Sequence, residues 1–485
     1  MAGRLKLAVL LSFAVFCVWN GRDSVDAAEP AGLRAGAFAV DTTPLKFPIS
    51  INGSMSDILA ESAHDPIHAR CLVLDDGTTK LAIVVCDSCM IPRELIDAAK
   101  ALASERTGIP GSNILISATH THSSPTVTGV FQSDPDEAYR QFLTDRIAEG
   151  IEKATANLEP AHIGWSSVDE PGQVFNRRWH LKPGAEVVDP FGGRTDTVQM
   201  NPGFGNLNKT KPSGPVDPQV SVLAVRSPDG HPIALFANYS LHYVGGIPGR
   251  AVSADYYGEF ARRISQKLGV ADDPRFVGIM SNGTSGNINN VNFALDAPPR
   301  REPFEQIRLV AENIAEAARR AYSEVKWQSS ATLAAREVDL DLGVRLPKGD
   351  DVETAKQLLA QANDPPYGKL PEIYARETIL LAKYPSTVKV KLQAMRVGDF
   401  AIAAIPCETF VETGLAIKRE SPLKAITISL ANGYNGYLPT PEHHQWGGYE
   451  TWRARSSYLA VDAEPKIRAT ILKLIRELDQ ELKAK

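Results

Sequence analysis

Short apolar runs and longer amphipathic stretches alternate along this chain from end to end. Cys71–Leu74 and Leu81–Val85 are uninterrupted apolar runs on either side of Asp75-Asp76-Gly77, a pattern that predicts two strands joined by a hairpin. Arg93–Ala103 sets Leu95, Ile96, Ala99 and Leu102 on one helical face, and Ala138–Leu158 is a longer amphipathic helix stopped by Pro160. Between them Ile114–Ile116 reads as a short buried strand. Further strands are expected at His162–Trp165, Val220–Val225, Ile233–Phe236, Phe276–Met280, Val388–Met395 and Phe400–Ile405. Further helices are expected at Tyr257–Leu268, Phe304–Val325, Val352–Ala362, Glu372–Ala382 and Glu464–Leu482. The alternation predicts an α/β fold with a mixed β-sheet core flanked by helices.

Two stretches break that order. Glu170–Pro218 is rich in Gly, Pro and Asn, and Ala431–Arg455 is irregular and dense in Tyr, His and Trp. Segments this long without periodicity are either disordered insertions or loops that build a site. Loops positioned by a rigid sheet are where function concentrates. The expectation is a single domain over residues 28–485 with long site-forming loops.

Composition narrows the class. Of 485 residues, 43% are hydrophobic and 22% charged, which excludes a disordered or collagen-like chain. Lys plus Arg number 52 against 57 Asp plus Glu, a net charge of -5. No bulk positive field favours nucleic acid, so no nucleic-acid partner is expected.

At the N-terminus, Arg4 and Lys6 precede an apolar run from Leu7 to Trp19, too short to span a bilayer comfortably, and a small-residue exit follows at Val25-Asp26-Ala27. Residues 1–27 therefore read as a secretory signal peptide, the alternative being an uncleaved anchor. The mature protein is expected to be exported, periplasmic or secreted, with at most peripheral membrane contact. Cys71, Cys86, Cys89 and Cys407 are too few for a disulfide scaffold. Cys86-Asp-Ser-Cys89 has the spacing of half a zinc site, but no second pair completes it, so buried thiols or one local disulfide are expected.

Candidate chemistry lies just past the strands. The run Ile114–Ala118 leads into Thr119-His120-Thr121-His122-Ser123-Ser124-Pro125. Residues i and i+2 of an extended chain project to one side, so both imidazoles point together at a strand's carboxyl end, where α/β sheets bind ligands. The pair is either a metal ligand beside an acid/base partner or two solvent-facing histidines. His242 follows the strand at Ile233, next to glycines, as a ligand or a structural residue. Glu408 follows the strand Phe400–Ile405, as a helix-start carboxylate or an oxygen ligand. Polar groups at separate strand ends make a catalytic zinc set of N and O ligands plausible. Ser285, between Gly283 and Gly286, either exposes its hydroxyl on a tight turn or belongs to an ordinary Gly/Asn loop.

Seven pieces of this chain, in order, resemble the neutral/alkaline ceramidase family. They are Asp65-Pro-Ile-His-Ala-Arg-Cys-Leu-Val, Ala118-Thr-His-Thr-His-Ser, Asn176-Arg177, His242, Gly283-Thr-Ser285-Gly-Asn, Pro406-Cys-Glu408 and Asn432-Gly-Tyr-Asn-Gly-Tyr437-Leu-Pro-Thr-Pro-Glu. The resemblance covers most of residues 34–460. It implies a zinc-dependent amidohydrolase acting on a linear amide of an N-acyl-sphingosine-like lipid, and so a place in sphingolipid metabolism. One zinc ion per chain would be held by His120, His242, Glu408 and Tyr437. Ser285, His122 and Arg177 would be catalytic, with attack by metal-activated water or by the serine, and Tyr449 and Asn176 would contact the substrate.

Three features depart from the family. Its serine lies in a G-D-x-S-P-N turn, which is longer and has an acid and a proline. Its Gly-Pro after T-H-T-H-S is Ser124-Pro125 here, and its C-terminal immunoglobulin-like domain is replaced by the helix Glu464–Leu482. The alternatives are a zinc hydrolase of the same scaffold acting on another amide, ester or amino-sugar conjugate, and a non-catalytic exported ligand-binding protein.

Overall fold

Three sheets pack around one apolar core, and each of them contains one parallel pair of strands. In this computed structural model, residues 1–3, 32–271 and 273–483 are described. Gly32–Lys485 form one compact unit, and the expected signal peptide, apart from its first three residues, lies outside the described residues. The first sheet runs in the order Ile114–Ala118, Lys80–Cys86, His68–Asp75, Arg34–Asp41, Glu159–Pro160. The second runs Val277–Asn282, Pro232–Tyr239, Gln219–Arg226, His162–Asp169. The third runs Leu333–Gly343, Thr387–Val397, Phe400–Ala404, Lys424–Ile428.

The predicted hairpin is present, with Asp75 opposite Lys80. Asp76 Oδ1 accepts from the backbone of Thr78 and Thr79, and Gly77 takes a φ of 85° that favours glycine.

Burial on both faces explains the uninterrupted apolar runs. Leu72, Leu74, Ile83 and Val85 point inward, where they meet Leu223, Val225 and Phe236 of the second sheet and Met395, Val397 and Ile402 of the third. Cys71, Val73 and Val84, one residue out of phase, face the helices Arg93–Thr107 and Glu137–Ala156 through Ile96, Ala99, Leu143 and Ile147. Helices Asp255–Lys267 and Glu305–Ser323 cover the second sheet, and Ala463–Lys483 covers the third. Among the described residues no helix is long and apolar enough to cross a membrane.

Each parallel pair needs a crossover, and each crossover contains a helix. Arg93–Thr107 joins Lys80–Cys86 to Ile114–Ala118, Asp255–Lys267 joins Pro232–Tyr239 to Val277–Asn282, and Val411–Glu420 joins Phe400–Ala404 to Lys424–Ile428. The last of these helices, with the strands Leu333–Gly343 and Arg34–Asp41, was not expected from the pattern. Leu333–Gly343 mixes apolar residues with exposed charges such as Asp341, opposite Lys389, and Arg34–Asp41 is built from small residues, so neither shows a strong apolar run. The segment Glu170–Pro218 is ordered and carries the short strands Phe175–Asn176, Arg178–Leu181, Val198–Met200 and Lys209–Pro212. Of the two readings for the cysteines, the buried thiols are found: Cys71, Cys86, Cys89 and Cys407 are all free and buried.

Candidate active site

The carboxyl ends of the three parallel pairs meet at one place. Past the first pair stand Cys89, His120 and His122; past the second, His242 and Ser285; past the third, Glu408, Tyr434 and Tyr437. This is the position at which parallel strands present ligand-binding groups.

His120 leaves its strand with a left-handed φ of 76°, rare for a residue with a side chain. Its backbone N–H donates to Ser88 O at 2.8 Å, and its Nδ1 lies 2.7 Å from Cys89 O. A carbonyl only accepts, so Nδ1 carries the proton and the Nε2 lone pair faces inward. His242 repeats the device, with Nδ1 lying 3.0 Å from Ser285 O. The two Nε2 atoms stand 3.2 and 3.9 Å from Glu408 Oε2. One ligand atom from each of the three residues lies within 4.8 Å of the others.

A two-residue parallel pairing sets Glu408 beside Tyr437. Gly286 makes the approach feasible, because a Cβ there would sit 2.4 Å from Glu408 O. Tyr434 Oη donates to Glu408 Oε1 at 2.9 Å, whereas the buried Oε2 has no hydrogen-bond partner.

Arg177 closes the opposite side. The strand Phe175–Asn176 just before it pairs with Ile288–Asn289, which brings Arg177 against the serine loop. Nη2 donates to Gly286 O at 2.7 Å and to Tyr437 Oη at 3.1 Å, and Nη1 lies 3.5 Å from His242 Nε2. Nε donates to Glu450 Oε1 at 3.1 Å, and Glu450, fully buried, also takes Arg178. Behind Arg177, its backbone N–H donates to Asn287 O, and Asn287 Nδ2 holds Glu412 Oε2 at 2.9 Å. Glu412 Oε1 is buried without a hydrogen-bond partner and lies 3.5 Å from His443 Nε2. Burial, against the weaker pull of Asn287 and Arg178, pushes the Glu412 carboxyl up to about 7.

His122 stacks on Tyr243 with ring centroids 3.6 Å apart, and its Nε2 is 3.3 Å from His120 Nε2. Its other face meets Gly53, where a Cβ would fall 2.3 Å from His122 Cγ. Tyr449 stands beside Tyr437 on the cavity wall, with ring centroids 5.7 Å apart. Ser285 Oγ donates to Asn282 Oδ1 at 2.8 Å and lies 3.5 Å from His242 Nδ1, on the side of that ring away from Glu408. Asn176 is buried, with Nδ2 donating to Pro215 O and Oδ1 accepting from Arg178 N.

The cavity between these groups encloses about 40 Å³, room for a few waters or the atoms of a scissile group. Its apolar wall includes Met90, Val130 and Phe131. Arg455 donates to Gly129 O at 2.7 Å and to Phe131 O at 3.0 Å. Its guanidinium is gripped by the buried Glu377 of helix Leu370–Leu381, with Nη2 to Oε1 at 2.7 Å and Nε to Oε2 at 2.9 Å.

Comparison with known proteins follows the same outline. No family model matches the chain. A neutral ceramidase of Pseudomonas aeruginosa is 24% identical over 456 residues, covering 79% of this chain and 63% of that protein. Neutral ceramidase B of Dictyostelium discoideum is 22% identical over 265 residues, 49% of this chain and 34% of its own length. The chain thus spans less than two thirds of the length of these curated relatives. The crystal structure of the Pseudomonas aeruginosa neutral ceramidase superposes with a TM-score of 0.69 at 18% identity, over 93% of this chain and 75% of that one. A ceramidase complexed with C2 superposes with the same TM-score at 16% identity, over 93% and 76%.

The chain has the neutral ceramidase fold.

The residues that the ceramidase resemblance marks for zinc fit a divalent cation. Two neutral-type imidazole nitrogens and a carboxylate oxygen are a catalytic zinc donor set, and ligand atoms around a tetrahedral zinc stand roughly 3.3 Å apart. The unpartnered Oε2 of Glu408 is aimed between the two rings. Burial opposes charge on His120, yet Glu408 and Cys89 outweigh it and carry its pKa up to about 10. Burial also works to raise Glu408, but His120 and then Arg177 hold its carboxyl below the usual value. A positive charge is therefore favoured between ring and carboxylate. Burial, with Arg177, keeps His242 neutral, and burial, with His120 and Arg177, does the same for His122.

Of the residues marked in the sequence, His120, His122, Glu408, Tyr437 and Tyr449 line the cavity of this ceramidase fold. His242 and Arg177 reach the same ligand cluster from behind that wall. Ser285 and Asn176 stand one layer further out. Sequence reasoning passed over Tyr434, Glu450, Tyr243 and Gly53. Only Tyr434 had a signal, because it lies inside the Asn432–Tyr437 motif. The others are defined by contacts with residues more than a hundred positions away or by main-chain packing.

Proposed function

We propose that this chain is an exported, zinc-dependent amidohydrolase that cleaves the amide bond of an N-acyl-sphingosine-like lipid. The observation that carries the reading is the convergence of His120 Nε2, His242 Nε2 and the unpartnered Glu408 Oε2 beside a small cavity. Similarity to proteins named neutral ceramidase supports the substrate class.

His120, His242, Glu408 and Tyr437 would hold the ion. When bound, zinc lowers the pKa of a coordinated water and polarises a carbonyl. The remaining work belongs to the chain. Arg177, oriented by Glu450, directs its positive end at the ligand cluster, where it would stabilise charge developing on the carbonyl oxygen. His122, neutral and fixed by Tyr243 and Gly53, is placed to accept a proton from the attacking group and return it to the leaving amine. Tyr449 would orient the scissile group at the cavity wall, and Asn176 acts through the loop that carries Arg177. Attack by water requires no rearrangement of these residues. Attack by Ser285 requires its hydroxyl to leave Asn282 and pass the His242 ring.

The enclosed volume favours a second reading, in which the substrate is a short N-acyl amine. In the first reading the alkyl chains lie outside, against Val130 and Phe131. Zinc analysis of purified protein, with hydrolysis assays on N-acyl-sphingosine, short N-acyl amines, and phosphate and acetyl esters, separates them. Stoichiometric zinc and preferred cleavage of the sphingosine amide are expected. Preference for an ester would reassign the substrate, and tight binding without turnover would mark a non-catalytic protein. Recovery of an exported chain beginning near Ala28 tests the N-terminal reading.

A further inference from the structure

We propose that Asp255 is a positioning residue for His122, acting through the turn Ser253–Asp255 and the ring of Tyr243. The inference rests on the proton-transfer role proposed for His122, because that role sets how closely the imidazole must be aimed. Asp255 lies outside the ligand cluster and lines a separate cavity together with Asp65 and Ser253. It is 3% exposed and begins the helix Asp255–Lys267 with a φ of 55°, in the left-handed region. Such a backbone persists only where its surroundings hold it. An aspartate at a helix start ordinarily turns its carboxylate to the N–H groups of that helix. Here the carboxylate reaches ten and eleven residues back along the chain: Oδ2 accepts from Gly245 N at 2.7 Å and Oδ1 from Val244 N at 3.2 Å. Within its own helix it takes Tyr256 N.

Both parts of the His122–Tyr243 stack are tied to this turn. The residues on either side of His122 are fastened to Ser253: Thr121 Oγ1 donates to Ser253 O at 2.8 Å, and Ser253 N donates to Ser123 O at 2.8 Å. Ser253 Oγ donates to Asp65 Oδ2 at 2.6 Å and accepts from Asp255 N at 3.0 Å, and Asp65 Oδ1 accepts from Ala254 N at 2.7 Å. The motif that opens with Asp65 thus braces the turn. On the other side, Gly245 packs against the phenol ring, since a Cβ there would lie 2.7 Å from Tyr243 Cε2, and Asp255 Oδ2 holds the N–H of that glycine. Tyr243 in turn stacks on His122 with centroids 3.6 Å apart. One turn therefore sets both the main chain that carries the imidazole and the ring that lies on its face. Releasing Gly245 lets Tyr243 tilt and His122 drift from its place 3.3 Å from His120 Nε2, with every ligand atom retained. A misplacement near 1 Å can cost about 100-fold in rate.

Asparagine tolerates the left-handed backbone and keeps the shape, but its amide offers one acceptor oxygen where the carboxylate offers two. Asp255→Asn therefore leaves Val244 N or Gly245 N facing a donor. The first measurement is the proton NMR resonance of the His122 ring in zinc-stripped protein at fixed pH, identified by its loss in His122→Gln. A ring stacked on a phenol is shielded, so the wild-type resonance is expected upfield, and both Asp255→Asn and Tyr243→Ala are expected to move it downfield. The second is turnover of N-acyl-sphingosine by zinc-loaded protein. Asp255→Asn should lower kcat about tenfold or more with KM and zinc stoichiometry unchanged. Once Tyr243→Ala is in place, it should cost less than about twofold more. An unmoved resonance, a loss that multiplies with that of Tyr243→Ala, or a loss of zinc overturns the proposal. Should Asp255→Asn fail to fold, Ser253→Ala, which removes the hydroxyl between Asp65 and Asp255, must produce the same shift. Failure of the principal reading looks different: the wild type itself then leaves the amide uncleaved, and the resonance alone decides whether Asp255 sets the His122 ring.

Discussion

His120 and His242 stand just past the ends of buried strands, each with Nδ1 engaged by a main-chain carbonyl. Arg177, Tyr437 and Glu450 stand in the two irregular segments and are held by one another's side chains. One side of the site is therefore positioned by the backbone of the sheets. The other adds to its main-chain contacts at Gly286 and Asn287 a single buried carboxylate shared by two guanidinium groups. The first arrangement should survive loss of neighbouring side chains; the second should not.

The sharpest way to break this contrast is Glu450→Ala. It leaves Arg177 and Arg178 buried without their counter-charge, and denaturant unfolding is expected to show a loss of about 3–5 kcal/mol. A loss below about 1 kcal/mol, the range of exposed pairs, would mean that the loop side is not held by this carboxylate. On the strand side, His120→Ala should leave the fold intact while weakening zinc binding by more than about 100-fold, beyond the usual effect of an outer partner. Metal competition measures it, and unchanged affinity would end the ligand assignment.

Tyr434→Phe probes the join between the two sides. It frees Glu408 Oε1 to rotate and should cost about tenfold in zinc affinity, with little change in unfolding. The smallest effect is expected at Glu412. Its folded-state pKa of about 7 lies above the usual carboxylate value, so the folded protein keeps a proton that the unfolded chain releases. Stability should then fall by about 1 kcal/mol as pH rises from 5 to 6. Glu412→Gln should flatten that decline, and an unchanged slope would place the titration elsewhere.

The same contrast explains what could be read in advance. Cys71–Leu74 and Leu81–Val85 are buried on both faces, so their position and hairpin were legible in the apolar pattern, as were the histidines just past Ala118. Leu333–Gly343 escaped because an edge strand half exposed to water carries charges where a core strand carries valine. Glu450 escaped for a different reason. A glutamate among aromatic residues looks like any other until the chain brings Arg177 and Arg178 to it from more than two hundred and seventy positions away. Tyr437 was marked only through its motif, since the parallel pairing with Glu408 has no local signature.

The grip of Glu377 on Arg455 has an evolutionary corollary. The apolar wall at Gly129–Phe131 hangs from a helix that contributes no ligand. Selection acting on that helix can widen or narrow this wall while the ligand cluster beneath stays as it is, so divergence in the shape of the cavity between related chains should map to Leu370–Leu381 before it reaches any histidine.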